Sequence, residues 1–145
     1  MLRVSYLLAF KHKSVWTVGP ETPVLEAIQV MADKHIGALP VLRDEELVGI
    51  VSERDYARKV ILLGRSSSDT PVWQIMTSDV VTVSPDDLVH RCMEIMTERR
   101  IRHLPVVEND EVVGIVSIGD LVKYLSKLQS FEIKYLTEFV TGRTL

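Results

Sequence analysis

Residues 15–56 and 80–121 align without a gap at a constant offset of 65, and 17 of those 42 positions are identical. The identities include Thr17/Thr82, Pro20/Pro85, Met31/Met96, Pro40/Pro105 and all of Gly49-Ile50-Val51-Ser52 against Gly114-Ile115-Val116-Ser117. Several other positions change conservatively, such as Asp33/Glu98 and Lys34/Arg99. Chance does not produce such an echo. The chain is a duplicated unit, and the architecture follows from folding that unit twice.

Each unit reads in the same order. Val15-Trp16-Thr17-Val18 predicts a short strand stopped by Gly19-Pro20, with Thr22 as helix N-cap and Pro23 at the first helical position. Asp87 takes the capping place in the second unit. The helix that follows puts Val24, Ala27, Ile28, Met31 and His35 on one stripe, and Val89, Cys92, Met93 and Met96 repeat it. Ala38–Leu42 and Leu47–Val51 then read as strands joined by a polar hairpin turn, Arg43-Asp44-Glu45-Glu46. A second helix is expected from Ser52 to about Leu63, with Gly64 as its stop. The expected fold class is α+β, two pseudo-symmetric β-α-β-β-α repeats packed as a pair.

The expected segments are an N-terminal piece over 1–13, the first repeat over 14–70, the second over 71–129 and a C-terminal helix over 130–145. Gly64–Asp69 reads as the linker, and Thr70-Pro71 restarts a short helix, Val72–Met76. The same offset sets that helix against Leu7–Lys11, which predicts that the apolar N-terminus plays the same structural part. Residues 130–140 predict an extra amphipathic helix with Ile133, Leu136, Phe139 and Val140 on its apolar face, covering the core or packing on a second copy.

Composition limits the function. Hydrophobic residues at 46% and charged residues at 26% are globular proportions, not those of a disordered chain. The net charge of −3, without any block of five like charges, disfavours general nucleic-acid binding. Cys92 is the single cysteine, so no internal disulfide forms; on a helix's apolar face it serves as a small hydrophobe. No run approaches the ~18 apolar residues of a membrane span. Val4–Phe10 is short, is followed by Lys11-His12-Lys13 and lacks a small-residue cleavage pattern, so a cytoplasmic protein is the expectation. Neither G-x-G-x-x-G nor a P-loop occurs, nor H-E-x-x-H, C-x-x-C or G-x-S-x-G. His12, His35, His90 and His103 lack metal-ligand spacing, and no nucleophile has a matched base. The chain is expected to be no enzyme and to hold no metal.

Ser52-Glu53-Arg54-Asp55 and Ser117-Ile118-Gly119-Asp120 each follow a strand and open a helix. Ser and Asp at that spacing make a capping box, Ser accepting from an early N–H and Asp reaching back. They also suit a nucleotide-ribose clamp. A carboxylate at the first turn accepts both ribose hydroxyls, through charged hydrogen bonds worth ~1.5–3 kcal/mol each.

The tandem unit with L-P-V followed by G-I-V-S-x-x-D resembles the cystathionine β-synthase (CBS) domain family, arranged as a CBS pair or Bateman module. The resemblance covers about residues 14–128, and its motifs are carried in order by both copies. Ser52–Tyr56, Gly64–Ser67, Ile101–His103 and Ser117–Asp120 also look like the small standalone CBS-pair proteins. Inosine monophosphate dehydrogenase carries a similar pair, but its catalytic barrel and cysteine loop have no counterpart here. That activity does not carry over.

The resemblance implies two clefts binding adenosine-containing ligands such as AMP, ADP or ATP, or NAD(H) in some members. The first takes Ile115, Ser117 and Asp120, with Trp16 and the Ile36-Gly37-Ala38 turn as its adenine wall. The second takes Ile50, Ser52 and Asp55, with Val81 and Ile101-Arg102-His103 opposite. Arg102 and His103 lead as phosphate partners, followed by Arg54 and by Lys11 or Lys13. Gly119 stands where the first unit has Arg54, so the two sites are expected to differ. The implied function is a regulatory sensor, homodimeric, that signals to an unidentified protein partner. A ligand-independent scaffold, in which both Ser–Asp pairs are only caps, is the alternative, and a nucleic-acid-linked regulator is the third reading.

Overall fold

A computed structural model describes residues 2–11 and 14–141, and in it the 65-residue echo becomes an echo of hydrogen bonds. The strands β1 (Ala38–Arg43) and β2 (Glu46–Ser52) pair antiparallel, and β3 (His103–Glu108) and β4 (Glu111–Ser117) form a second two-stranded sheet. Both hairpins turn through two residues of positive φ, Asp44 and Glu45 at 49° and 68°, Asn109 and Asp110 at 52° and 62°. Two successive left-handed residues match the right-handed twist of the flanking strands, which is why two-residue hairpins favour them. Val18 N donates to Pro40 O at 3.1 Å and Leu42 N to Val18 O at 2.9 Å; Val83 repeats both bonds with Pro105 and Val107 at 3.1 and 2.8 Å. The strand expected over 15–18 therefore shrinks to a single bridge, Val18 to Val41. Pro20 has no N–H to extend a ladder, and the chain turns at once, Thr22 N donating to Gly19 O.

The helices α1 (Val4–Lys11), α2 (Val24–Lys34) and α4 (Val89–Arg99) are tied down by backbone rather than by side-chain caps. Pro23 and Leu88, not the expected Thr22 and Asp87, occupy the N-cap positions of α2 and α4, without side-chain bonds. Val24 N reaches Thr70 O at 2.8 Å, Leu25 N reaches Ser67 O at 3.0 Å, and Val89 N reaches Leu2 O at 2.9 Å. Distant carbonyls thus satisfy the N–H groups that a helix start leaves open. Thr22 Oγ1 instead accepts from Gly19 N. His35 and Arg100 close the two helices in the left-handed conformation. His35 is thereby turned out to solvent and leaves the apolar stripe. Met93 is likewise exposed, and Ile95 is buried in α4.

The N-terminal helix does take the part of residues 72–76, but one turn out of the expected register. Val4 N and Ser5 N donate to Asp87 O and Pro85 O, as Val72 N and Trp73 N donate to Thr22 O and Pro20 O. The offset here is 68, not 65. A three-residue shift preserves the buried face of a helix, and Val4/Val72 and Leu7/Ile75 are all buried.

After β2 the chain runs through α3 (Glu53–Tyr56) into one wide turn, Ala57–Ile61, where Leu62 N donates to Ala57 O. Gly64 at φ 66° ends it, as expected. After β4 the single helix α5 (Ile118–Thr141) runs for 24 residues. The tail helix expected over 130–140 is the continuation of the second repeat's own helix. Its Ile133 and Leu136 are exposed; the side chains of Phe139 and Val140 lie outside those described.

Two compact units result, and they do not follow the repeat boundaries. One comprises 14–84 with 105–115 and is filled by Val24, Ala27, Met31, Leu39, Val51 and Ile75 among others. The other comprises 1–13, 85–104 and 116–145, with α1 and α4 both packed on α5. There Val4, Leu7, Cys92, Met96 and Leu121 are buried, and the rings of Phe10 and Tyr124 meet at 5.4 Å.

Candidate functional site

Each repeat places its Ser–Asp pair where a strand hands over to a helix. At the end of β2, Ser52 is extended (φ −129°, ψ 164°), and its hydroxyl accepts from Asp55 N at 3.2 Å. Asp55 Oδ2 accepts in return from Ser52 N and Ser52 Oγ, both at 3.0 Å. At the end of β4, Asp120 N donates to Ser117 Oγ and Ser117 N to Asp120 Oδ2, again at 3.0 Å. Backbone holds the junctions from behind: Glu53 N donates to Gly37 O at 3.0 Å and Ile118 N to Arg102 O at 2.9 Å, the same bond 65 residues apart. Both pairs are complete capping boxes. The carboxylates are fixed and half-buried at the first helical turn.

Each carboxylate also holds a lysine, and the two lysines are not repeat equivalents. Lys59 lies one turn along from Asp55, with Nζ 3.1 Å from Oδ1 and donating to Ile75 O at 2.9 Å. Lys11 reaches Asp120 from α1, 109 residues away, with Nζ 2.7 Å from Oδ2 and the two side chains only 12% and 17% exposed. Burial alone would raise the pKa of Asp120, but the bonds from Lys11 and Ser117 overcome it and hold the carboxyl below its ordinary range. His103 shares this neighbourhood. Burial lowers its pKa, Asp120 opposes that, and Lys11 and Arg102 add to it, so the imidazole is neutral at pH 7.

The expected site residues divide between the units. Trp16, Ile36, Gly37, Ala38, Ile50, Ser52, Arg54, Asp55, Val81 and Ile115 belong to one; Ile101, Arg102, His103, Ser117 and Asp120 belong to the other. Trp16 is exposed, with Lys34 Nζ over its ring at 4.2 Å, a cation–π contact the sequence did not suggest. Arg54 and Arg102 are exposed, whereas Ile50, Ile115, Val81 and His103 are half-buried. Within its unit His103 lies in the electrostatic field of Asp120 and Lys11. As a neutral ring it offers one N–H donor. Lys13 lies outside the described residues. Lys59 was missed, although its i, i+4 spacing from Asp55 was a readable signal.

An open groove of about 660 Å³, lined by Asp44, Glu45, Asp79, Thr82, Val107 and Asp110 among others, contains none of these residues. Among the described residues no three His, Cys, Asp or Glu side chains are placed to hold a metal ion. No described helix is long and apolar enough to cross a membrane.

Residues 9–61 and 72–127 match the CBS domain. The chain belongs to the CBS domain family. It carries the domain twice, as an α+β CBS pair. The CBS domain-containing protein CBSX3, mitochondrial, of Arabidopsis thaliana is 40% identical over 149 residues, covering 96% of this chain and 72% of that protein. A solved structure with CBS domains from Burkholderia ambifaria MC40-6 is 46% identical with a TM-score of 0.80, over 85% of this chain and 93% of that one. The CBS domain pair of protein MJ0100, solved in complex with 5′-methylthioadenosine and S-adenosyl-L-methionine, is 26% identical with a TM-score of 0.78, over 88% and 98% of the two chains.

Proposed function

We propose that this CBS pair is a regulatory module that binds an adenosine-containing ligand, AMP or another adenine nucleotide or NAD(H), and passes its occupancy to a partner protein. The observation that carries the reading is the duplicated junction: a serine and a fixed, half-buried carboxylate at the first turn of a helix, twice. An ionised carboxylate has about four acceptor sites on its two oxygens. Ser52 N, Ser52 Oγ and Lys59 at Asp55, and the Ser117 backbone and side chain with Lys11 at Asp120, leave about one acceptor site on each carboxylate for a ribose hydroxyl. The adenosine-type ligands of the MJ0100 pair support the same ligand class. The module does no chemistry of its own in this reading. It acts by binding one state of the chain more tightly than another.

The capping contacts also favour a second reading, a scaffold in which Ser52–Asp55 and Ser117–Asp120 serve the fold alone. Calorimetric titration of the full chain with AMP and with NADH separates the two. Ligand at 100 times Kd should raise stability by about 2.7 kcal/mol. Asp55→Asn and Asp120→Asn keep an acceptor for the serine N–H but remove the charge, and each should weaken one site by about tenfold or more. No heat and no shift with any adenine nucleotide would leave the scaffold standing.

A further inference from the structure

Resting on the reading that Asp55 receives a ribose, we propose that Lys59 is a positioning residue that latches this carboxylate to the entry turn of the second repeat, and that a ribose releases the latch. Asp55 Oδ2 accepts from Ser52 N and Ser52 Oγ, both at 3.0 Å, which fills its two lone pairs. Oδ1 faces Lys59 Nζ at 3.1 Å and, among the described residues, keeps one acceptor site. A ribose brings two neighbouring hydroxyls, and the second can bond Asp55 only where Lys59 stands. The serine donors are fixed by the strand-to-helix junction. The Lys59 side chain is 41% exposed on a flexible stem, so it is Lys59 that yields.

Lys59 does not end at Asp55. The same Nζ donates to Ile75 O at 2.9 Å, a carbonyl at the C-terminal end of the turn Val72–Gln74. A lysine there satisfies one of the carbonyls that a helix end leaves open. The matched CBS domain of the second repeat begins at residue 72, so Lys59 joins the first repeat's carboxylate to the entry of the second. At the same offset of 65 from Lys59 stands Tyr124, whose ring meets Phe10 of α1, and the lysine on Asp120 comes from α1 itself. Since α1 takes the part of residues 72–76, both repeats tie their carboxylate to the same element through a lysine, by residues that are not repeat equivalents. Duplication alone does not explain that convergence. A latch and a ligand that compete for one oxygen weaken each other by the same factor.

The test uses the full chain with Asp120→Asn, so that Asp55 is read alone, and adenosine as the probe, because it has no phosphate for a lysine to hold. By calorimetry, Lys59→Met should tighten adenosine by about threefold or more. In hydrogen exchange, saturating adenosine should speed the Met76 and Thr77 amides, which donate to Val72 O and Ile50 O, while in Lys59→Met both should exchange fast with or without ligand. Lys59→Arg, which spans the same two acceptors, should restore the ligand-dependent exchange. Equal or weaker adenosine binding by Lys59→Met would reduce Lys59 to a prop for Asp55 and overturn the proposal. So would Met76 and Thr77 amides indifferent to adenosine while Lys59 or Arg is present. If Lys59→Met fails to fold, Lys59→Gln removes the charge and is read in the same way. If the chain bearing only Asp120→Asn does not bind adenosine, the ribose reading of Asp55 itself fails and takes the latch with it, before any Lys59 variant is compared.

Discussion

Asp55 and Asp120 are each held twice, by a serine through a cap and by a lysine through an ion pair, and at Asp120 this makes protonation visible in stability. Asp120 is depressed in the folded chain, so its contribution is complete above the ordinary carboxylate value of 3.8 and is lost as pH falls through the folded pKa. Lys11→Met removes one cause of the depression. Its acid-unfolding limb should therefore start at a higher pH than that of the wild type, as read by circular dichroism; coincident limbs would contradict the ion pair. His103 is depressed as well. Protons then bind the unfolded chain more readily, and stability falls as pH drops below the ordinary histidine value of 6.5. His103→Gln should flatten the change between pH 7 and pH 5, and an unchanged slope would remove His103 as its source. Cys92 is fully buried and burial pushes its thiol up to about 11. A maleimide should label it only when the chain is unfolded.

At the scale of elements, β2 owes its fit to Gly49. A Cβ there would lie 2.9 Å from Met76 Cγ and 3.1 Å from Thr77 O. The methionine can swing aside, but the carbonyl is fixed, because residue 77 is hydrogen-bonded both ways to Ile50. Gly49→Ala should cost about 1–3 kcal/mol, seen as a lower urea midpoint; an unchanged midpoint would mean that the segment yields freely. The hairpins were readable because turn chemistry and apolar alternation are local, and β1 and β2 fall within a residue of their expected bounds. The helix starts were misread for the opposite reason. Thr22 and Asp87 are competent caps, yet the carbonyls of Thr70 and Leu2 reach the helix N–H groups first. The Lys11–Asp120 pair spans 109 residues and breaks the repeat, so no periodicity announces it.

For the whole molecule, the repeat made the CBS pair legible, while the division into compact units that cut across the repeats had no signal in sequence. Ile61, Leu62 and Leu63 stand 57%, 76% and 62% exposed at the end of the first repeat's second helix, and Ile133 and Leu136 are exposed on α5. Contiguous exposed apolar side chains of this kind mark contact surfaces, and a second copy of the chain is the expected occupant. Leu62→Glu with Leu63→Glu should convert a dimer to a monomer in sedimentation velocity. A wild-type chain that already sediments as a monomer would contradict this. The central claim is that the two Ser–Asp junctions serve a ligand as well as the fold. Equilibrium dialysis of labelled AMP against the wild type and against the Asp55→Asn, Asp120→Asn double variant tests it most directly. The account predicts binding by the wild type, and binding weaker by about tenfold or more for a double variant whose circular dichroism is unchanged. Equal binding by both proteins, or none by the wild type, would contradict it.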